Sequence, residues 1–235
     1  MRPVGILGGM GPEATILLQR KLVDAVPARD DAGHIPLMID MNPQVPSRIA
    51  HLIEGTGESP APVLAAMAAR LEAMGATAMA MPCNTAHHYA GAIRGAARIP
   101  FLDMVALSAA ACAGADGGRV GMLASPAVRR TALFERAFAA HGLEAVWPDD
   151  DAGVLASIRA IKAGGASEAA AAGLREASAH LAEAGMRVQL VACTEFSLAV
   201  ELLPDGVDAR DTLDALVAAI VAHATAPVEG RLPLG

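Results

Sequence analysis

Ala80-Met81-Pro82-Cys83-Asn84-Thr85, and again Leu190-Val191-Ala192-Cys193-Thr194-Glu195, bring an apolar run to a cysteine and then to small polar residues. Short apolar runs of this kind read as buried strands, and Asn or Thr directly after a strand suits the start of a helix. Each cysteine therefore falls at the carboxyl tip of a strand. Working outward, Val4-Gly5-Ile6-Leu7-Gly8 stands upstream of Cys83 much as Val120-Gly121-Met122-Leu123-Ala124 stands upstream of Cys193. Downstream, Asp103 follows its cysteine by 20 positions and Asp211 follows its own by 18. Two half-chains of one plan predict two similar lobes, and lobes that face each other bring two thiols to one cleft.

The rest of the chain alternates Val- and Ile-containing runs with Ala-rich stretches of helical spacing, the pattern of βαβ units in a parallel sheet. Val4–Leu7 opens the series, a helix follows from Pro12 toward Pro27, and 35–40 is a second strand. Between Met41 and Glu58 the periodicity is lost among Pro43, Pro46, Gly55 and Gly57, which predicts a long loop at a strand's carboxyl end. A helix from about Pro60, capped by Ser59 and stopped by Gly75, leads to the Cys83 strand over 76–82. The second half predicts a strand over 120–124, one helix from Ser125-Pro126 to Gly142, a strand over 143–147, helices around Ile158 and Leu174, a strand over 187–192, and a last helix over 212–224 before a Pro/Gly tail. The expected fold is α/β: two similar lobes, each a parallel-rich sheet flanked by helices, related by a pseudo-twofold around a central cleft. Residues 1–103 with 211–235 make the N-terminal lobe carrying Cys83, and residues 104–210 the C-terminal lobe carrying Cys193.

A formal net charge of −7 without a Lys/Arg block removes the counterion-release contribution on which nucleic-acid binding depends. No apolar stretch reaches the roughly 18 residues that a membrane span needs, and Pro12 and Glu13 interrupt any leader, so a cytoplasmic protein is expected. Three cysteines in such a chain read as free thiols rather than a disulfide framework.

A lone cysteine at a strand end is usually a small buried hydrophobe. The pairing and the polar flanks point beyond that, because the open N–H groups of a helix start beside a thiol favour the thiolate. Cys112, inside the Ala-rich 107–115 stretch, keeps the packing role. Gly5-x-x-Gly8-Gly9-Met10-Gly11 is a plausible anion cradle at a strand-to-helix turn. Within it Gly9-x-Gly11-x-x-Ala14 matches a dinucleotide fingerprint, although the nearest acidic candidate, Asp40, lies farther on than that fold requires. His87 and His88 complete no metal set, and His87 reads as structural. Arg48 in the proline-rich loop has the fork that grips a carboxylate, and Lys162 stands near a helix end.

Gly8-Gly9-Met10-Gly11-Pro12-Glu13-Ala14-Thr15, Pro82-Cys83-Asn84-Thr85-Ala86-His87 and Ala192-Cys193-Thr194-Glu195 together resemble the aspartate/glutamate racemase family, in particular its aspartate racemase branch. The resemblance implies racemisation without a cofactor or metal, often in a homodimer. On this sequence it implies Cys83 and Cys193 as the two acid/base thiols. Asn84, Thr85 and Thr194 would donate to the substrate α-carboxylate, with Met10 lining the pocket. Arg48 and Lys162 would hold the side-chain carboxylate, Glu195 would assist near Cys193, and Ser125 is the one hydroxyl donor in a turn where relatives often carry more. Inversion at an α-carbon needs a base on one face and an acid on the other, and two opposed thiols meet that need.

The reading is a cofactor-independent isomerase interconverting L- and D-aspartate or a similar acidic amino acid, with that small molecule as its partner. The alternatives are a related two-cysteine enzyme acting on glutamate, another amino acid, maleate or a hydantoin, a nucleotide-binding Rossmann-type protein, and a non-catalytic binder of small acids.

Overall fold

A computed structural model describes residues 1–227 of the chain. The Pro/Gly tail beyond Pro227, and with it the last part of the expected N-terminal lobe, lies outside the described residues. The first half runs β1 (Val4–Gly8), α1 (Pro12–Ala25), β2 (Leu37–Met41), α2 (Ala61–Ala73), β3 (Ala78–Ala80), α3 (Ala90–Ala96) and β4 (Phe101–Leu102). The second runs α4 (Met104–Ala111), β5 (Arg119–Ala124), α5 (Pro126–Arg130), α6 (Leu133–Ala139), β6 (Glu144–Val146), α7 (Asp151–Gly164), α8 (Ala172–Glu183), β7 (Val188–Ala192), α9 (Thr194–Ser197), β8 (Asp208–Asp211) and α10 (Thr212–Thr225).

The strands form two four-stranded sheets of order β2-β1-β3-β4 and β6-β5-β7-β8, and every pairing is parallel. The two orders are the same order. Period-two alternation decides which side chain goes where. Val4 and Ile6 of β1 pack with Leu18, Leu22, Leu213, Leu216 and Ile220 of α1 and α10, while Leu7 packs on the other face with Leu64, Met67 and Leu71 of α2. In β5, Val120 and Met122 meet Val105, Phe134 and Phe138, whereas Leu123 meets Val154, Ile158 and Leu174. Gly5 and Gly121 hold equivalent places, and a Cβ on either would crowd a helix-side leucine, Leu71 at 3.0 Å and Leu181 at 3.2 Å. The repeated Val-Gly-x-Leu thus records one packing problem solved twice.

Each sheet also takes a helix from beyond its own run of strands. α4, directly after β4, packs on the second sheet, and α10, directly after β8, packs on the first. Both are capped by the aspartates of the half-repeat: Asp103 accepts from the N–H groups of Val105 and Ala106, and Asp211 from that of Leu213.

Several boundaries differ from the sequence expectation. The helix expected from 125 to 142 is broken: α5 ends at Arg130, and Ala132 takes a left-handed φ of 48° before α6 starts. The loop after β2 contains a π-helical turn, Ala50–Glu54. β4 has only two residues, and β8 reads Asp-Ala-Arg-Asp, so neither edge strand carries an apolar run to betray it. The helices after the two cysteines are short, a 3₁₀ turn over Thr85–Tyr89 and the four-residue α9.

Candidate active site

In both sheets the chain leaves the central strand toward one neighbour and then crosses to the other, so a crevice opens at the carboxyl ends between β1 and β3 and between β5 and β7. Cys83 follows β3, and Cys193 follows β7. Both are buried, 7% and 5% exposed, and both line one cavity of about 60 Å³. At roughly 10–15 Å³ per water, that cavity holds about four to six waters. Its other walls are Met10, Ser47, Arg48, Ile49, Thr85, Ser125, Ile158, Lys162 and Glu195.

The turn after β1 brings Met10 to the cavity. Gly9 is needed there: its φ is +92°, and a Cβ would lie 2.4 Å from the carbonyl carbon of Asn42. The Gly9 N–H donates to Thr15 Oγ1 at 3.0 Å, and that hydroxyl donates back to the Gly11 carbonyl at 3.2 Å. A methyl group on Gly11 would touch Glu195 Oε1 at 3.7 Å and the Lys162 side chain at 3.8 Å. The cradle predicted from the glycines is therefore partly satisfied within the chain, and a carboxylate of the chain itself stands at the start of α1, where a pyrophosphate would have to lie.

The loop after β2 carries Arg48. The guanidinium donates through Nη1 to the carbonyls of Val45 (3.3 Å) and Pro46 (3.1 Å), and through Nη2 to that of Met10 (3.4 Å). Of its five N–H donors, these contacts leave two without an acceptor among the described residues. Arg48 also has no carboxylate within ion-pair reach among them. On the opposite lobe Lys162, on the last turn of α7, pairs with Glu195 Oε1 at 2.9 Å. Burial works against the lysine's charge, but the Glu195 carboxylate outweighs it and lifts the Lys162 pKa above the ordinary lysine value. The fixed charges facing the cavity are thus two cations and one carboxylate, leaving one positive charge for a ligand to neutralise.

The Cys193 Sγ–H donates to Glu195 Oε2 at 3.2 Å. Burial, the negative charge of Glu195 and this hydrogen bond push the Cys193 thiol well above the ordinary cysteine range. This corrects the expectation that a helix start would favour the thiolate there: the following helix has only four residues, and burial, reinforced by the adjacent carboxylate, decides the sign. Cys112 is also pushed up, to about 11, by burial in the core of the second lobe.

Asn84 and Thr194 do not line the cavity. Asn84 Nδ2 donates to Thr212 Oγ1 at 2.9 Å, Thr212 Oγ1 donates to the Val191 carbonyl at 3.0 Å, and Thr194 Oγ1 donates to the Pro82 carbonyl at 3.2 Å. These bonds tie the Cys83 turn to the Cys193 lobe from behind. Thr85 and Ser125 meet hydroxyl to hydroxyl across the lobes at 3.1 Å, with both side chains at the cavity wall. His87 donates from Nδ1 to the Cys83 carbonyl (2.8 Å) and accepts at Nε2 from the Met104 N–H (3.1 Å). Burial lowers its pKa, and the two bonds fix the neutral ring with its proton on Nδ1. Ser47, Ile49 and Ile158 were not singled out from the sequence. Ser47 and Ile49 flank Arg48, and Ile158 stands four residues before Lys162, one turn away on the same face of α7, which is the signal that would have found it.

Among the described residues no group of three or more His, Cys, Asp or Glu side chains is arranged to hold a metal ion. None of the described helices is long and apolar enough to cross a membrane.

The family described as Asp/Glu/hydantoin racemase matches residues 7–221. Among solved structures, an aspartate racemase from Picrophilus torridus superposes with a TM-score of 0.84 at 26% identity, over 97% of this chain and 96% of that one. An aspartate racemase homologue from Pyrococcus horikoshii OT3 gives 0.74 at 20% identity, over 96% and 100%. The glutamate racemase from Francisella tularensis in complex with D-glutamate gives 0.65 at 18%, over 94% and 80%. The last two likenesses concern the fold.

Proposed function

The chain belongs to the Asp/Glu/hydantoin racemase family, and from that premise we propose that it interconverts L- and D-aspartate, or a close acidic amino acid, with Cys83 and Cys193 as opposed acid and base. The observation that carries the proposal is one small cavity walled by both thiols and by two cations from opposite lobes. An acidic amino acid brings two carboxylates and one ammonium, and Arg48 and Lys162 offer its carboxylates one cation from each lobe. The Picrophilus torridus likeness supports aspartate, and glutamate, maleate or a hydantoin are the alternatives to be tested beside it.

The chemistry is a proton passed through the α-carbon. The Cys83 thiolate takes the α-proton from one face, leaving a carbanion that the Cys193 S–H protonates from the other. The product is the opposite enantiomer, with Cys83 now a thiol and Cys193 a thiolate. The reverse direction starts from the other protonation state, with Cys193 a thiolate and Cys83 a thiol. From the first state Glu195 Oε2, already accepting the S–H bond, is the group placed to take the Cys193 proton while Cys83 gains one from solvent. Lys162 holds that carboxylate. The carbanion is stabilised by donors aimed at the α-carboxylate: the Thr85 and Ser125 hydroxyls and the open N–H groups at the helix starts beyond each cysteine. Asn84 and Thr194, whose side chains are engaged between the lobes, would contribute through their backbone. Both protons are assigned to thiols, so the reaction draws on no cofactor.

The same proposal includes the division into lobes of residues 1–103 with 211–235 and residues 104–210, which the packing of α10 on the first sheet supports, and a cytoplasmic homodimer. In D₂O, L-aspartate should yield D-aspartate carrying α-deuterium, and Cys83→Ala and Cys193→Ala should each abolish net racemisation. Undiminished racemisation by the Cys83→Ala protein would sink the two-thiol mechanism.

A further inference from the structure

We infer that Ile158 sets the length of the dicarboxylate that this site accepts and restricts it to four carbons. The inference rests on the acidic amino-acid reading above and adds the group that measures the chain. Ile158 is 5% exposed, lies in the same buried cluster as Cys193 and Phe196, and forms part of the cavity wall. It stands one turn of α7 before Lys162, so apolar bulk and cation face the cavity side by side from one rigid helix. Both cations are held by partners within the chain. Lys162 is held at 2.9 Å by Glu195, and Arg48 is tied to three carbonyls.

With the α-carbon between the two sulfurs and the distal carboxylate at the cations, an added methylene must bulge sideways. The cavity is about 60 Å³, and Ile158 and Ile49 are the branched aliphatic side chains in its wall, so the added methylene would press on Ile158. A methylene too many in a fitted apolar pocket is discriminated by about 10- to 200-fold. Aspartate is then accepted with Ile158 in place, and glutamate has to displace it.

The test is the ratio of kcat/KM for glutamate to that for aspartate in wild type, Ile158→Val and Ile158→Ala. The expected result is preference for aspartate in the wild type, a rise in the ratio of about 10-fold or more in Ile158→Ala, and a smaller rise in Ile158→Val, which keeps most of the packing. An active Ile158→Ala or Ile158→Val protein with the wild-type ratio overturns the inference. Binding of succinate against glutarate, measured by titration calorimetry on the same proteins, reads the same length preference without turnover. A folded wild type that binds succinate over glutarate but racemises neither acid removes the proposed function and leaves the length measurement standing. An unchanged succinate-to-glutarate ratio in the variants removes the role of Ile158 even where racemisation is observed.

Discussion

Glu195→Gln separates the acid/base role of this carboxylate from simple packing, because the amide keeps the shape and loses the charge. In the wild type the carboxylate accepts the Cys193 S–H at 3.2 Å and faces the Lys162 ammonium at 2.9 Å. Its negative charge is one of the causes that hold the Cys193 thiol well above the ordinary range, second to burial. Removing it leaves burial in place, so the Cys193 pKa should fall relative to wild type while staying above that of a free cysteine. At the same time Cys193 loses the acceptor for its proton. A hydrogen bond to a charged partner contributes about 1.5–3 kcal/mol, which corresponds to roughly 10- to 150-fold in rate. We expect kcat for aspartate racemisation, followed by circular dichroism, to fall within that range. The pH midpoint for alkylation of Cys193, followed by mass spectrometry of its peptide so that Cys83 and Cys112 do not interfere, should move down. The two effects have opposite meanings for reactivity: the thiol ionises more readily and the enzyme turns over more slowly. An unchanged kcat together with an unchanged alkylation midpoint would refute the coupling of Glu195 to Cys193.

Arg48→Ala should raise KM for aspartate by about 10- to 100-fold, since truncating one partner of a charged pair costs about 2 kcal/mol or more, and should leave the slow turnover of an amino acid without a side-chain carboxylate little changed. Gly9→Ala should destabilise by about 2–5 kcal/mol, visible as a lower Tm, because a Cβ would stand 2.4 Å from Asn42 at a φ of +92°. Asp211 is buried and its pKa is raised to about 6, chiefly by burial. A carboxyl whose folded pKa is raised stabilises most below its unfolded value of about 3.9 and loses that contribution as pH rises through about 6. Asp211→Asn, which keeps an acceptor for Ser197 and Leu213, should therefore gain on wild type by about 1–2 kcal/mol between pH 5 and pH 8 in denaturant titrations. A constant difference across that range would show that Asp211 ionises normally.

The central strands and the two cysteine turns were legible because a strand buried on both faces must be continuously apolar and must end somewhere, and Cys-Asn-Thr and Cys-Thr-Glu mark those ends. The polar edge strand β8 and the two-residue β4 were not, since edge strands are held by backbone pairing that any side chain permits. The single helix expected from 125 to 142 failed at Ala132, where the backbone turns left-handed at an alanine, with no glycine or proline to mark the break in the sequence. Within the site, the residue types carrying charge or sulfur stood out, whereas Ile158 looked like any core isoleucine.

The chain by itself determined the doubled plan, the class of the fold and the two thiols, because apolar periodicity and a repeated Val-Gly-x-Leu and cysteine order are local properties of the covalent sequence. Only the tertiary structure decided which side chains face the cavity and with what charge. Asn84 and Thr194, adjacent to the cysteines in sequence, turn away to bind the lobes together, while Arg48 and Lys162 arrive from distant elements. The protonation of Cys193 belongs to the same class: the helix start predicted a lowered pKa, and burial beside a carboxylate two residues on reversed it. Direction, burial and charge pairing depend on which surfaces the two lobes press together, and no window of sequence contains that information.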